Sequence, residues 1–165
     1  MPNHLVPRHK VLIFYGLPVG QSSSSVQWTR MHYCTELTIN RNPEEYERKY
    51  TDEATKRSDI VAYGTSIAYG FDKFTGDAVQ ADLINIINAE KLGEEAIRQL
   101  AIVDISTAGS SSSATAYIRD YSVVPGSEGD DENAYTYSGE FKAAGELFTA
   151  TVSSTSDWET FTINT

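Results

Sequence analysis

Cysteine is almost absent from the sequence, with Cys34 as the only one among 165 residues. A lone cysteine cannot close a disulfide within the chain, so the fold has to depend on its apolar core, and this length suffices to bury one. We expect a single domain over residues 1–165, with a mobile segment at Met1–Lys10. The thiol is expected to be buried, in a protein made in a reducing cytosol.

Long hydrophobic runs are also missing. The apolar stretch Val11–Tyr15 is far shorter than the roughly 18 residues that a membrane-spanning helix needs. It is also too short for a signal-peptide core, and no small-residue cleavage site follows it. We therefore expect no membrane partner and no secretion by that route.

Basic charge is scarce. The chain has 13 Lys and Arg against 23 Asp and Glu, which gives a formal net charge of -10. Such a molecule repels phosphate at long range, so tight nucleic-acid binding is disfavoured.

Residues that carry catalysis are few. The three histidines are His4, His9 and His32, and no G-x-S-x-G motif or phosphate-binding glycine loop is present. His32 with Cys34 would supply at most half of a zinc site, which needs three or four ligands. The sequence thus predicts no enzyme, no cofactor and no metal centre.

An acidic segment, Glu128–Glu132, holds four carboxylates in five residues. Hard cations such as calcium seek several carboxylate oxygens, but this spacing does not follow the EF-hand loop. We interpret the segment as a solvated loop, and binding of a cation there stays an open alternative.

What the sequence does contain is a period-two hydrophobic pattern in short runs, which predicts strands with one buried face. The candidate strands are 9–15, 35–40, 46–52, 60–73, 101–107, 114–124, 134–142, 146–152 and 158–163. The serine runs Ser22–Ser25 and Ser110–Ser113 are expected to be flexible connections. A closing hairpin is predicted over Thr136–Val152, turning near Ala144 and Gly145.

One segment follows a helical period instead. Val79, Leu83 and Ile86 are spaced by three and four residues after Asp77, with Gln80 at the capping-box position. This pattern predicts a helix of about four turns that stops at Gly93. The predicted fold is mainly β with one helix, as two packed antiparallel sheets in a sandwich or barrel flanked by that helix.

A long stretch, Asn42 to Glu53 (NPEEYERKYTDE), followed by Val61 to Tyr69 (VAYGTSIAY), resembles the tail tube proteins of bacteriophages. The order of later features is also similar to that family. Gly76 and Asp77 open a helix, a strand follows at Ala101–Ile105, and a Gly-Glu-Phe motif stands at Gly139–Phe141. The similarity extends over about residues 35–152.

The resemblance implies a structural subunit of a tail-tube-like fold. Six copies would close into a ring through their sheet edges, and rings would stack into the tube of a virion tail through which DNA passes without specific binding. Expected partners are further copies of the chain and other tail proteins such as the tape measure, terminator and baseplate. The chain would be made in the cytoplasm of the bacterial host.

The resemblance also suggests site residues. Acidic residues Glu36, Asp72 and Glu140 alternate with apolar neighbours and are candidates to face the lumen, although the outer surface is an equally good place for any of them. The segment that resembles the ring-stacking loop of the family contributes Tyr50, Asp52, Glu53, Lys56 and Arg57. An ordinary solvated hairpin loop is the alternative for that segment.

A second function class stays open at this stage. A monomeric carbohydrate-binding β-sandwich would present Trp28, Trp158 and surface tyrosines as a platform for sugar rings.

Overall fold

The computed structural model describes residues 3–18, 26–106, 108 and 113–164. Both serine runs lie outside these ranges, except for Ser113, which begins a strand. The described residues form eleven strands and one α-helix. In chain order these are β1 (Val11–Pro18), β2 (Val26–Arg30), β3 (Cys34–Asn40), β4 (Pro43–Arg48), β5 (Arg57–Tyr63), β6 (Ser66–Asp72), α1 (Ala78–Asn88), β7 (Ile97–Asp104), β8 (Ser113–Glu128), β9 (Thr136–Ala143), β10 (Phe148–Ser153) and β11 (Thr160–Ile163). Short 3-10 turns precede β1 at Arg8–Lys10 and β7 at Gly93–Ala96.

Nine strands form one antiparallel sheet in the order β10-β11-β2-β1-β7-β8-β9-β6-β3, and β10 also pairs with β8. The extra pairing closes six strands into a barrel, because the first half of β8 pairs with both β7 and β10. The second half of β8 pairs with β9, which continues the sheet through β6 to β3. The mainly β fold with one flanking helix is therefore confirmed.

Two apolar cores occupy opposite faces of the central strands β1 and β7. Leu12 and Phe14 point into the barrel, where all six of its strands contribute side chains. Ile13 and Tyr15 point to the other core, which lies between the sheet and α1. Burial on both faces explains why Val11–Tyr15 reads as an unbroken apolar run instead of an alternating one.

The helix begins as predicted but ends earlier. Asp77 is the N-cap and accepts a hydrogen bond from the backbone N–H of Gln80 at 3.0 Å. The last helical residue is Asn88, and the chain turns through the left-handed conformation at Glu90, with φ 49°. The Gly93 stop is therefore wrong, because a Schellman motif closes the helix before that glycine is reached.

Two strand predictions are corrected by the pairing, and one strand was not predicted. The single strand predicted over 60–73 is two strands, β5 and β6, which belong to different sheets. The hairpin predicted over Thr136–Val152 is wrong, since β9 and β10 do not pair with each other and instead follow one another along the same edge of β8. β2 was missed altogether.

The strands β4 and β5 form a separate two-stranded hairpin in which every residue is exposed. The single α-helix among the described residues is 11 residues long. The described part of the chain therefore contains no helix that is long and apolar enough to cross a bilayer.

Candidate assembly surfaces

His32 and Cys34, the two potential zinc ligands, are engaged in local contacts. The Nε2 atom of His32 lies 2.5 Å from the Glu159 carboxylate, and the Cys34 thiol donates to the His32 carbonyl at 3.7 Å. Burial raises the pKa of the Cys34 thiol to about 12, which keeps it protonated and unreactive near neutral pH. Across the described ranges no three His, Cys, Asp or Glu side chains are grouped as metal ligands would be.

The acidic segment Glu128–Glu132 is built around hydrogen bonds to neutral groups. The Tyr135 hydroxyl donates to Glu128 at 2.6 Å, and the Thr136 hydroxyl donates to Asp130 at 2.9 Å. Asp131 accepts the backbone N–H of Asn133 at 2.7 Å. Three of the four carboxylates are thus held by hydrogen bonds in an exposed turn, and none of the three has a cationic partner among the described residues.

Both tryptophans are buried in the barrel. Trp28 stacks on Phe161 with ring centroids 5.3 Å apart, and Trp158 packs edge-on against Phe14. The sugar platform imagined for Trp28 and Trp158 is therefore wrong, because their exposed fractions are only 6% and 7%.

The three acidic candidates lie on one face of a single wall of strands, β8-β9-β6-β3. Strand register pairs Glu36 with Gly70 and Glu140 with Ala68, while Asp72 closes β6 on the same face. The opposite face carries Ile67, Tyr69 and Phe71, which are buried in the core beneath α1. Glu36, Asp72 and Glu140 therefore share the face that the core leaves open.

Small and polar side chains make up the rest of this face. Across β3, β6, β8 and β9 the same register positions hold Thr38, Asn40, Ser66, Ala68, Gly70, Ser122, Val124, Thr136, Ser138 and Lys142. Lys142 lies 3.9 Å from Glu140, too far for more than a weak surface ion pair. The wall is thus polar and predominantly acidic on one side and apolar on the other.

The five residues predicted for the loop lie together at the tip of the β4–β5 hairpin. Tyr50, Asp52, Glu53 and Lys56 lie between the two strands, and Arg57 begins β5. A turn forms where the Glu53 N–H donates to the Tyr50 carbonyl at 3.1 Å. Lys56 and Glu47 form an ion pair at 2.6 Å across the hairpin.

The base of the hairpin is clamped. Asn42, which has a left-handed φ of 46°, accepts the Gly64 N–H at 3.1 Å and donates from Nδ2 to the Gly64 carbonyl at 3.0 Å. The same Nδ2 lies 3.3 Å from the Ser66 hydroxyl at the start of β6. These bonds fix the two chain segments where they leave the main sheet, so the hairpin extends from a defined base.

Two free backbone edges were not apparent from the sequence. β3 ends the sheet order, and its single partner among the described strands is β6. β7 pairs with β8 only as far as Ser122, which leaves Val123–Glu128 without a strand on that side among the described residues. No local motif indicates either edge, because both follow from pairings between distant parts of the chain.

Solved structures with a similar fold are tail components of phage-like particles. A chain in the tail of an empty GTA particle, computed with C6 symmetry, gives a TM-score of 0.60 at 12% identity over 86% of this chain and 96% of that one. A chain in the baseplate of the anti-feeding prophage gives 0.57 at 9% identity over 90% and 97%. A chain in the sheath/tube terminator of the extracellular contractile injection system PVC gives 0.50 at 13% identity over 89% and 97%.

No protein-family model and no curated protein sequence matches the chain. The likeness is therefore one of fold, and the tail-tube-like fold expected from the sequence is confirmed at that level.

Proposed function

We propose that this chain is the structural subunit of a tail tube in a phage or phage-like particle. Six copies close into a ring, rings stack into a hollow tube, and DNA passes through the lumen without being bound. The main support for this proposal is the wall β8-β9-β6-β3. One of its faces is polar and acidic, the other packs against the core, and each end has a free edge.

The two free edges have the right directions to join. Each of the three pairings within the wall is antiparallel, so β3 and β8 run in opposite directions. When the β3 edge of one copy meets the β8 edge of the next, the new pair is antiparallel as well. Repeating this step carries one antiparallel sheet around the ring and removes both edges, which would otherwise invite uncontrolled aggregation.

The polar face then lines the lumen. Glu36, Asp72 and Glu140 repeat in every subunit, so the lining carries rings of negative charge that repel phosphate and prevent the counterion release that drives DNA binding. Six copies in each ring also agree with the C6 symmetry of the GTA tail, whose chain has a similar fold.

The β4–β5 hairpin is the contact between rings. It is wholly exposed, it is clamped at its base by Asn42 and Gly64, and it holds Tyr46, Ile60 and Tyr63 out of any core. Exposed apolar side chains on a protruding hairpin are typical of an interface that forms with another molecule. Other tail proteins, such as the tape measure, terminator and baseplate, are the further partners that we expect for the tube.

Electron microscopy of negatively stained protein at rising concentration tests the proposal, and we expect rings or hollow rods. The variant Asp52→Lys with Glu53→Lys should fold normally and form rings, yet stack into rods much less well, because the charge at the hairpin tip is reversed. A compact monomer at every concentration contradicts the function, and rods of wild-type length from the variant remove the hairpin tip from the contact between rings.

A further inference from the structure

A basic groove opens beside the start of β3. It encloses about 450 Å³ between the 3-10 turn at Arg8–Lys10, the end of β2 and the first residues of β3. Two guanidinium groups, Arg8 and Arg30, and two imidazoles, His9 and His32, line it. Among the described residues that line the groove none is acidic, although the chain as a whole carries a net charge of -10.

The charges in the groove are only partly compensated within the subunit. Arg8 donates to two neutral carbonyls, those of Val11 at 2.7 Å and Leu37 at 2.8 Å. Arg30 and His32 share one carboxylate, Glu159, at 3.9 Å and 2.5 Å. Because a neutral carbonyl cancels no charge, the groove retains positive charge that can attract an acidic group.

The groove lies on the free edge of the wall. Leu37 belongs to β3 and its carbonyl accepts from Arg8, so Arg8 contacts the strand that ends the sheet order. Cys34 and Thr35, at the beginning of β3, line the same groove. A strand that pairs antiparallel with this edge therefore has its C-terminal end next to the basic side chains.

The opposite edge of the wall leads directly into the acidic segment. The stretch Val123–Glu128 of β8 pairs with β9 on one side and lies beyond the last residue that β7 pairs on the other. Immediately after it come Asp130, Asp131 and Glu132, all exposed. Glu132 has no hydrogen bond or ion pair within the described residues, so its charge is available to another molecule.

We propose that the acidic segment Glu128–Glu132 of one copy docks in the basic groove of the next copy and fixes the register of the ring. The inference rests on the proposed function, because it uses the junction of the β3 and β8 edges. In an antiparallel junction the end of β8 lies beside the beginning of β3. The strand directions that close the ring thus place the four carboxylates of the segment next to Arg8, His9, Arg30 and His32.

Charge reversal on each side tests the contact. Arg30→Glu and Glu132→Lys should each raise the protein concentration required for ring formation about tenfold or more in low salt, since each places like charges together. An equimolar mixture of the two variants should assemble within about twofold of wild type. In an alternating ring the lysine introduced at position 132 faces the glutamate introduced at position 30, and every other junction keeps the wild-type pair of groove and segment.

The mixture separates a contact between copies from damage to the fold, because a misfolded variant cannot be rescued by another. Glu146→Lys, on the turn after β9, is the matched control for the change in net charge. It should form rings at nearly the same protein concentration as wild type. His9→Glu provides a second groove variant at an exposed position, should Arg30→Glu prove unstable.

Four results would overturn the inference. Wild type that never forms rings overturns it together with the proposed function. Wild-type rings with unaffected Arg30→Glu and Glu132→Lys variants, or a mixture that is not rescued, overturn the inference alone. Binding of a short duplex DNA in the groove through Arg30, with no effect of Glu132→Lys on ring formation, would assign the groove to a phosphate ligand instead.

Discussion

Asp82 on α1 and Arg98 on β7 form a two-pronged ion pair, with Nε to Oδ2 at 2.8 Å and Nη2 to Oδ1 at 3.3 Å. Their side chains are only 18% and 15% exposed. The hydroxyl of Tyr15 on β1 donates to the same carboxylate, so one acidic group ties the helix to two strands. Burial and the nearby Asp82 carboxylate raise the pKa of Tyr15 above its usual range, which keeps this donor protonated.

We expect the loss of either partner alone to destabilise the fold more than the loss of both together. Asp82→Asn or Arg98→Met alone should lower the free energy of unfolding by about 2–4 kcal/mol, because each leaves a partly buried charge without its counter-charge. The double variant should cost less than the sum of the two changes. Urea unfolding of all four proteins gives the coupling energy, and strictly additive losses would mean that the pair contributes nothing as a pair.

The end of α1 offers a stabilising substitution. Glu90 is in the left-handed conformation, and in this Schellman motif its N–H donates to the Ile87 carbonyl at 3.2 Å while that of Lys91 donates to Ile86 at 3.2 Å. Glycine adopts this conformation without steric cost, so Glu90→Gly should raise the melting temperature, with a gain of about 1 kcal/mol. Ala89→Gly is the control and should be destabilising, because Ala89 has an ordinary helical φ of -84°. Destabilisation by both variants would contradict the assignment of the cap.

Gly139 marks a close approach of two strands in the wall. A Cβ atom there would lie 2.5 Å from the Val124 carbonyl oxygen and 2.8 Å from the Gly126 nitrogen, and neither backbone atom can move away cheaply. Gly139→Ala should cost about 3 kcal/mol or more and reduce soluble yield. Gly145→Ala, where the nearest atom would be the Asp120 Cβ at 3.4 Å, should change stability by well under 1 kcal/mol. Equal melting temperatures for the two variants would argue against the tight contact.

Local patterns identified the parts of the fold that depend on neighbouring residues. The N-cap at Asp77 and most strands of the wall followed from alternation and capping chemistry. The three acidic candidates were found because alternation alone assigns Glu36, Asp72 and Glu140 to the face opposite their apolar neighbours. Their position relative to a lumen stays a prediction, as does the role of the hairpin tip.

The failures arise where distant residues compete with a local signal. The Gln80 side chain suits a capping box, yet it donates to the Asp72 carbonyl at 2.9 Å and accepts the Phe74 N–H at 2.8 Å, which ties the helix to the end of β6. The turn at Ala144 and Gly145 suggested a hairpin, but β8 is long enough to pair with β9 and β10 in succession. The basic groove could not be predicted from the sequence, because Arg8 and Arg30 are far apart in the chain and come together only in the folded structure.

The Tyr69 hydroxyl is buried and has no hydrogen-bond partner among the described residues. Its ring stacks on Phe141 with centroids 4.6 Å apart, so the phenyl part of the side chain contributes the packing. Tyr69→Phe should therefore leave stability at neutral pH unchanged or raise it by up to about 1 kcal/mol, since an unsatisfied polar group leaves the core.

The same substitution should alter the stability of the protein in alkali. Burial, with a smaller effect of Glu128, raises the pKa of Tyr69 to about 12, above its value of about 10 in the unfolded chain. The native state thus keeps a proton that the unfolded state loses. Ionisation of this group therefore leaves stability unaffected below pH 10, and it lowers the free energy of unfolding by about 1.4 kcal/mol per pH unit as the pH rises from about 10 to about 12.

Urea unfolding at pH 8, 10.5 and 11 measures this loss. Tyr69→Phe should show a shallower decline of stability than wild type, while Cys34, whose pKa is also raised to about 12 by burial, contributes equally to both. Tyr117→Phe removes one hydroxyl from an exposed side chain and is the matched control. Parallel declines for wild type and Tyr69→Phe would mean that the Tyr69 hydroxyl reaches solvent, and that the stacked core of the wall opens more readily than its packing implies.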